Sequence, residues 1–341
     1  MSAAATGRSL EEKMRLFRAA PVIVVLALCA TALVPAPANA QPTSACEPTE
    51  RGYVCLYGPV NVPQGEMVEL FDYVAPPPEA GFITGMRATL VDRSGRRIAH
   101  HMVHLHHAVW INPTKPDFTC EAFNVQGFDV DVDRFFATGK ERTRLVMPEG
   151  YGYHWSNETA FPTLFDEPWW GLVAHLDGMH GSSQTYIRLN LDFVPEAEAA
   201  GMIDVKPVWL DVRNCSQNPV YDVPRRPAQR VHKERWSYTM PESGRFITMG
   251  GHLHDGGKRL VLRNRTTGST IFTSKAIYGL RGDPWYLTQM TAMSGLPGVP
   301  VTAGDELMLT SVYDSTHRLR NPDWSWRDVM GIMVGYLAPP S

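Results

Sequence analysis

No charge of one sign dominates this chain. Its 32 lysines and arginines face 35 aspartates and glutamates, for a formal net charge of -3. That balance makes no electrostatic claim on any partner, and nothing in the chain reads as built for nucleic acid, which demands a basic face. Helical periodicity is nearly absent: only "PEAEAAG" at 195–201 reads as one short helix, which excludes an α/β fold. Cysteine is scarce, five residues in 341, and no pair has the C-x-x-C spacing of a thiolate zinc knot. Low-complexity tracts and internal repeats are missing as well. Finally, no apolar run reaches the about 20 residues that a comfortable membrane span needs.

The longest apolar run, from Pro21 to Val34, has Arg15 and Arg18 before it and the small-x-small end Ala38-Asn39-Ala40 after it. Residues 1–40 are therefore expected to be a secretory signal, with Met14 as an alternative start and an uncleaved anchor as the competing reading. Export would make the protein secreted or periplasmic, with no integral span after cleavage. Cys29 falls in the signal, leaving Cys46, Cys55, Cys120 and Cys215. Four thiols in an oxidising compartment imply two disulfides and allow three pairings. The expected pairs are Cys46 with Cys55 and Cys120 with Cys215.

What the chain does contain is strand signal. "GMRATLVD", "SSQTYIRLNLDFV", "KPVWLDVRN", "KRLVLRNRT" and "DELMLTSVYD" alternate apolar with polar residues, and turn punctuation such as "RSG", "TTGS" and "AGD" separates such runs. The pattern predicts an all-β protein of two tandem antiparallel β-sandwich, jelly-roll-like domains. A disulfide-stapled segment at 41–64 is expected before an N-terminal sandwich at 65–205 and a C-terminal one at 206–341.

Histidine is unevenly spread. Five of the twelve fall between His100 and His107, in "AHHMVHLHHAVW". A single strand histidine is ordinarily a satisfied surface or core residue. Five in so short a segment need acceptors or a cation, and no Asp or Glu occurs between Arg97 and Trp110. On a regular strand alternate side chains share a face, which groups His100, His104 and His106 apart from His101 and His107. Adjacent histidines on one ion require a bulge or a strand end. A second cluster, "GGHLHDGGKRLVLRN", puts His252 and His254 on one face of an extended backbone, among glycines that permit close approach. Few carboxylates and no free thiols disfavour calcium, magnesium and thiolate zinc, whereas imidazoles with a thioether favour copper.

In order, "AHHMVHLHHAVW", "WWGLVAHLDG", "GGHLHDGGKRLVLRN" and "SVYDSTHRLRNPDWSWRDVMGIMVGYLAP" resemble the copper type II, ascorbate-dependent monooxygenases. Peptidylglycine α-hydroxylating monooxygenase and dopamine β-monooxygenase are members of that family. The resemblance runs from about residue 65 to 338. It implies two copper ions per chain: one held by His100, His101 and His175, the other by His252, His254 and Met330. It also implies hydroxylation of an activated C–H bond in a small-molecule or peptide substrate, using O2 and an electron donor such as ascorbate.

The sequence departs from the family at the positions that grip a peptide carboxylate, which here are Gly250, Ile332 and Val334, and at Val173 before the third histidine. A C-terminal glycine peptide is thus not the expected substrate. His104, His106 and His107 exceed what the family pattern requires, and strand geometry favours His104 with His106 as an alternative pair. "GGHLHDGG" is also similar to a motif of the stress up-regulated nodulin type. An exported copper- or zinc-binding carrier without catalysis is the other reading, and a non-metal adhesive sandwich leaves the histidines unexplained. Tyr313, Asp314 and His317 read as a loop-capping turn, with lining the cleft or orienting a ligand through an outer bond as the alternative, and His154 and His180 read as loop residues.

Overall fold

A computed structural model describes residues 45–120, 124–125, 128–140, 142–216, 219–226, 228–279, 287–316 and 329–340. The expected signal, with Cys29, and His317 lie outside the described residues. Residues 39–341 group as one compact unit. Among the described residues the sole helical element is a 3-10 turn at Glu196–Glu198, within the stretch expected to be a short helix. Everything else regular is strand, as the alternating patterns predict.

Four principal sheets stack in pairs. In the first pair, a seven-stranded sheet runs in the order Ala45–Thr49, Gly52–Val62, Ser182–Pro195, Gly81–Val91, Tyr151–Trp155, Ile203–Asp204, with Arg144–Val146 also on Gly81–Val91. Its partner has four strands in the order Met67–Val74, Trp170–Asp177, His104–Asn112, Asp133–Gly139. The second pair consists of a four-stranded sheet, Lys206–Asp211, Gly331–Ala338, Gly244–Leu253, Met293–Val301, and a five-stranded one built around Glu306–Asp314 and Gly257–Asn264. Neighbours pair antiparallel apart from the short parallel contact of Ile203–Asp204. Within the segment expected at 41–64, the described strands Ala45–Thr49 and Gly52–Val62 belong to the seven-stranded sheet. Gly52–Val62 pairs along Ser182–Pro195, and Cys46 and Cys55 are direct cross-strand partners joined by a disulfide.

The last strand decides how the two halves meet. Gly331–Ala338 is buried at every position, and a strand covered on both faces reads as a nearly continuous apolar run. Ile332, Val334 and Tyr336 join the core of the first half with Trp110, Phe135 and Phe136, while Met333 and Leu337 join the core of the second. Each fully buried side chain of this size contributes about 1.5–3 kcal/mol. Polar ties reinforce the junction: Thr119 accepts from the Trp209 N–H at 3.0 Å and donates to its carbonyl at 2.6 Å, and the Tyr336 hydroxyl donates to the Phe135 carbonyl. The second disulfide, Cys120–Cys215, closes the same junction. Both disulfides are therefore paired as expected. The consequence for function is that the sheet carrying His106 and the sheet carrying His252 are held against one another.

Candidate metal centre

The strand His104–Asn112 lies between Trp170–Asp177 and Asp133–Gly139. His107 pairs with His175, but the next residue on the neighbouring strand, Leu176, pairs with Leu105, so His106 is an additional residue on its strand. This is a β-bulge, and it changes which face the side chains take. Leu105 and Ala108 both reach the core, whereas His106 and His107, adjacent in sequence, both reach toward the second half of the chain.

The second half supplies His252 and His254 at the end of Gly244–Leu253. The chain leaves that strand through Gly256, whose φ of 88° is the left-handed region that glycine occupies at least cost. Gly251 lets the two sheets approach: a Cβ there would lie 2.7 Å from Ser274 Oγ. The His254 N–H donates to the Tyr313 hydroxyl oxygen at 2.8 Å, and that hydroxyl donates to the Met330 carbonyl at 2.5 Å. One buried phenol thereby fixes the backbone of both His254 and Met330.

Five rings converge. Nitrogens of His106, His107 and His254 all lie within 4.8 Å of one another. His106 Nε2 is 3.2 Å from His254 Nε2. The His107 ring centroid is 4.1 Å from that of His175 and 6.0 Å from that of His252. Carboxylates surround the group. Asp177 lies 3.4 Å from His106 Nδ1, Glu69 lies 3.6 Å from His175 Nε2, and Asp255 is bound by Lys140 at 2.5 Å. A cavity of about 130 Å³ opens beside the rings, bounded by His107, His175, His252 and Met330 together with Val173 and Ile332.

Burial sets the protonation of these rings. It pushes His107 well below its ordinary value, and the neighbouring His175, His106 and His252 add to the drop. Burial also lowers His175, against the pull of Glu69. On the flank His104 falls to about 3 and His100 to about 4, both chiefly by burial, with Lys140 acting on each and Arg142 on His100. Neutral imidazoles offer their lone pairs to a metal. His107 Nδ1 is buried and has no hydrogen-bond partner among the described residues, the condition of a donor atom awaiting an ion.

His175, His252, His254 and Met330 are drawn to one region, His175 and Met330 as walls of the same cavity. The expectation pairs His100 and His101 with His175. They lie in the turn ahead of the strand, where the His100 ring is 6.0 Å from His104 and the His101 ring is exposed and 6.1 Å from His180. The adjacent pair beside His175 is His106 and His107, because the bulge falls there. Sequence reasoning also missed Asp177, two residues after His175, and the Lys140–Asp255 pair. Tyr313, for which orienting a ligand was the alternative to a loop-capping turn, braces His254 and Met330. The other cysteine-bearing group, Cys120, Cys215 and Asp211, is closed by its disulfide.

Comparison with known proteins adds the following. No family model matches the chain. It is 24% identical over 342 aligned residues to "Probable copper-dependent oxygenase M1" of Phoma sp., covering 95% of this chain and 82% of that protein. It is 26% identical over 246 residues to "Probable copper-dependent oxygenase clz3" of Cochliobolus lunatus, covering 68% of this chain and 71% of that one. Among solved structures, one of PNGF-II aligns with a TM-score of 0.37 at 12% identity, over 81% of this chain and 61% of that chain. Two relatives described as copper-dependent oxygenases thus match a chain whose histidines converge from both halves.

Proposed function

We propose that this chain is a copper-dependent oxygenase whose metal is held by His106, His107 and His254, with His175, His252 and Met330 as the adjoining donors. The observation that carries the reading is the set of three ring nitrogens within 4.8 Å, contributed by strands of two different sheets. The donor set fits copper: imidazole accepts both oxidation states and thioether favours the reduced one, while the nearby carboxylates Asp177, Glu69 and Asp255 lie against His106, His175 and Lys140. The printed descriptions of the two fungal relatives support the same metal and reaction class.

Bound copper would supply one-electron redox chemistry toward dioxygen. The chain's own residues do the rest. Asp177 puts a carboxylate 3.4 Å from His106 Nδ1, beside the ring rather than hydrogen-bonded to it, and an outer carboxylate in that position favours a proton on Nδ1 and leaves Nε2 to the metal. Tyr313 holds the His254 backbone. Val173, Ile332 and Trp209 line the cavity with apolar surface that excludes water and accepts a C–H-bearing part of a small substrate. Arg134 also borders the cavity, but Asp117 already holds it at 2.8 Å and it stacks over Trp209.

The finer reading follows the family resemblance: hydroxylation of an activated C–H bond in an exported protein, with an ascorbate-like donor. Two ions, where the resemblance implies separate centres, would have to share this single cluster. The two disulfides suit an oxidising compartment. We place the boundary between the sandwiches at about residue 205.

Copper content by mass spectrometry, together with oxygen uptake driven by ascorbate, tests the proposal. Copper-dependent uptake that disappears in His254→Ala is the expected result. Tight copper or zinc binding with no oxygen consumption under any small reductant would favour an exported metal carrier, which the density of imidazoles also suits. Failure of the purified chain to retain copper would overturn the oxygenase, and failure to retain either copper or zinc would overturn both readings.

A further inference from the structure

A second concave site lies away from the histidines, on the outer face of the seven-stranded sheet. It is a basin of about 360 Å³ whose polar walls are Arg87, Arg97, Arg144, Arg188, Thr89 and Asn190. The size is that of a small-molecule site. Register brings the cations together. Arg87 is directly opposite Arg144 on one side and Asn190 on the other, and Arg188 is opposite Thr89, one position along.

Like charges directly across a strand pair destabilise a sheet, and a solvated face ordinarily alternates their sign. Among the described residues none of these four arginines makes an ion pair. Asp192, the sole carboxylate on the wall, is held by Arg51 at 3.0 Å. Two polar atoms at the floor are also unsatisfied: Arg188 Nε and Thr89 Oγ1 are buried and have no hydrogen-bond partner. Arg188 makes one long bond, from Nη1 to the Gly95 carbonyl at 3.4 Å. Buried polar atoms of this kind normally have a partner, and leaving them without one is costly.

We infer that this basin is a binding site for a small molecule bearing two or more oxyanion groups, carboxylate or phosphate. Guanidinium groups present forked donors that match both oxyanions bidentately, and four of them around one concavity suit a multiply charged ligand better than a single anion. Thr89 and Arg97 also border a narrower hollow that extends to His100 and Arg142, so the basin leads toward the flank of the histidine region. The inference stands on its own, whatever metal the histidines hold.

Calorimetric titration of the whole mature chain with sodium pyrophosphate and with sodium malonate tests it. Saturable binding of either is expected. Preference between the two identifies phosphate or carboxylate as the source chemistry. Affinity should fall about tenfold or more in the double variant R87Q/R144Q, whose two sites are exposed, and should weaken as salt is raised. Copper content should be unchanged in that variant. Binding of neither anion at millimolar concentration overturns the inference, as does equal binding by wild type and variant. Capture of a heparin oligosaccharide but of neither small anion also overturns it, in favour of an extended polyanion surface. Thermal melting without added anion gives a second readout. Relief of repulsion should leave R87Q as stable as wild type or more so, and a clear loss of stability would instead assign the arginines to the fold.

Discussion

His107 and His175 face one another as direct partners across two antiparallel strands, their ring centroids 4.1 Å apart. Cross-strand partners of this kind leave little freedom in where either ring goes. The bulge at His106 then adds a third ring to the pair and lets His254 approach from the other half. His107→Ala should therefore reduce copper affinity by at least about tenfold, by analogy with losses at ligand-supporting positions. His101→Ala, at an exposed turn residue, should leave it unchanged. Copper titrations of the two variants check both outcomes, and equal losses would show that the bulge does not select the ligands.

Tyr313 is 1% exposed and links two backbone groups that adjoin different strands, the His254 N–H just after Gly244–Leu253 and the Met330 carbonyl just before Gly331–Ala338. Removing its hydroxyl leaves both without that partner in a buried setting, at a cost of about 1–3 kcal/mol. Tyr313→Phe should accordingly lower stability by that amount. It should also weaken copper binding, since the strand end carrying His254 loses its brace. Chemical denaturation with and without copper separates the two effects.

The fold was legible because strand alternation is local, and strands such as Gly52–Val62 and Ser182–Pro195 obey it. Both disulfides were legible because four cysteines leave few pairings. The His252-x-His254 pair was legible for a similar reason, since spacing alone puts both rings on one face. What alternation cannot reveal is a bulge. "HHMVHLHH" contains two adjacent histidine pairs, and which pair lies beside His175 depends on one additional residue in the register between Leu105 and His107. The joining of the two halves was equally hidden. "GIMVGYLA" reads as a buried strand, but that Ile332 and Val334 serve one core and Met333 and Leu337 the other is a property of the assembled sheets.

Acid behaviour should carry the mark of Asp133. Burial pushes its carboxyl well above the usual value, nearby Asp117 adds to the rise, and its Oδ2 accepts the Tyr153 hydroxyl at 2.9 Å. With the folded value above the unfolded one, the native state binds the extra proton in the window between them. Stability from this group is fully present below about pH 4, the unfolded value, and is lost as pH rises toward the folded one. Asp133→Asn removes the dependence while keeping an acceptor for Tyr153. The variant should thus gain on the wild type as pH rises from about 4 toward neutrality. Melting curves across that range that stay parallel would show that Asp133 is ionised in the fold.

The Cys120–Cys215 disulfide closes a span of 95 residues between the halves that supply the two sides of the histidine group. A closed loop of that length restricts the unfolded chain by about 4–5 kcal/mol in the chain-entropy account. The double substitution of both cysteines by serine should lower stability on that scale. Its local effect distinguishes a general staple from a device that supports the site. Thr119, next to Cys120, clamps both backbone groups of Trp209, and Trp209 lines the cavity beside His107 and His252. If the clamp depends on the disulfide, the variant should bind copper more weakly even under conditions where it remains fully folded. Added copper should then raise its melting temperature, because ligands drawn from both halves tie the junction together when the metal is bound. Unchanged copper affinity in the folded variant would mean that the apolar packing around Ile332 and Tyr336 holds the junction by itself.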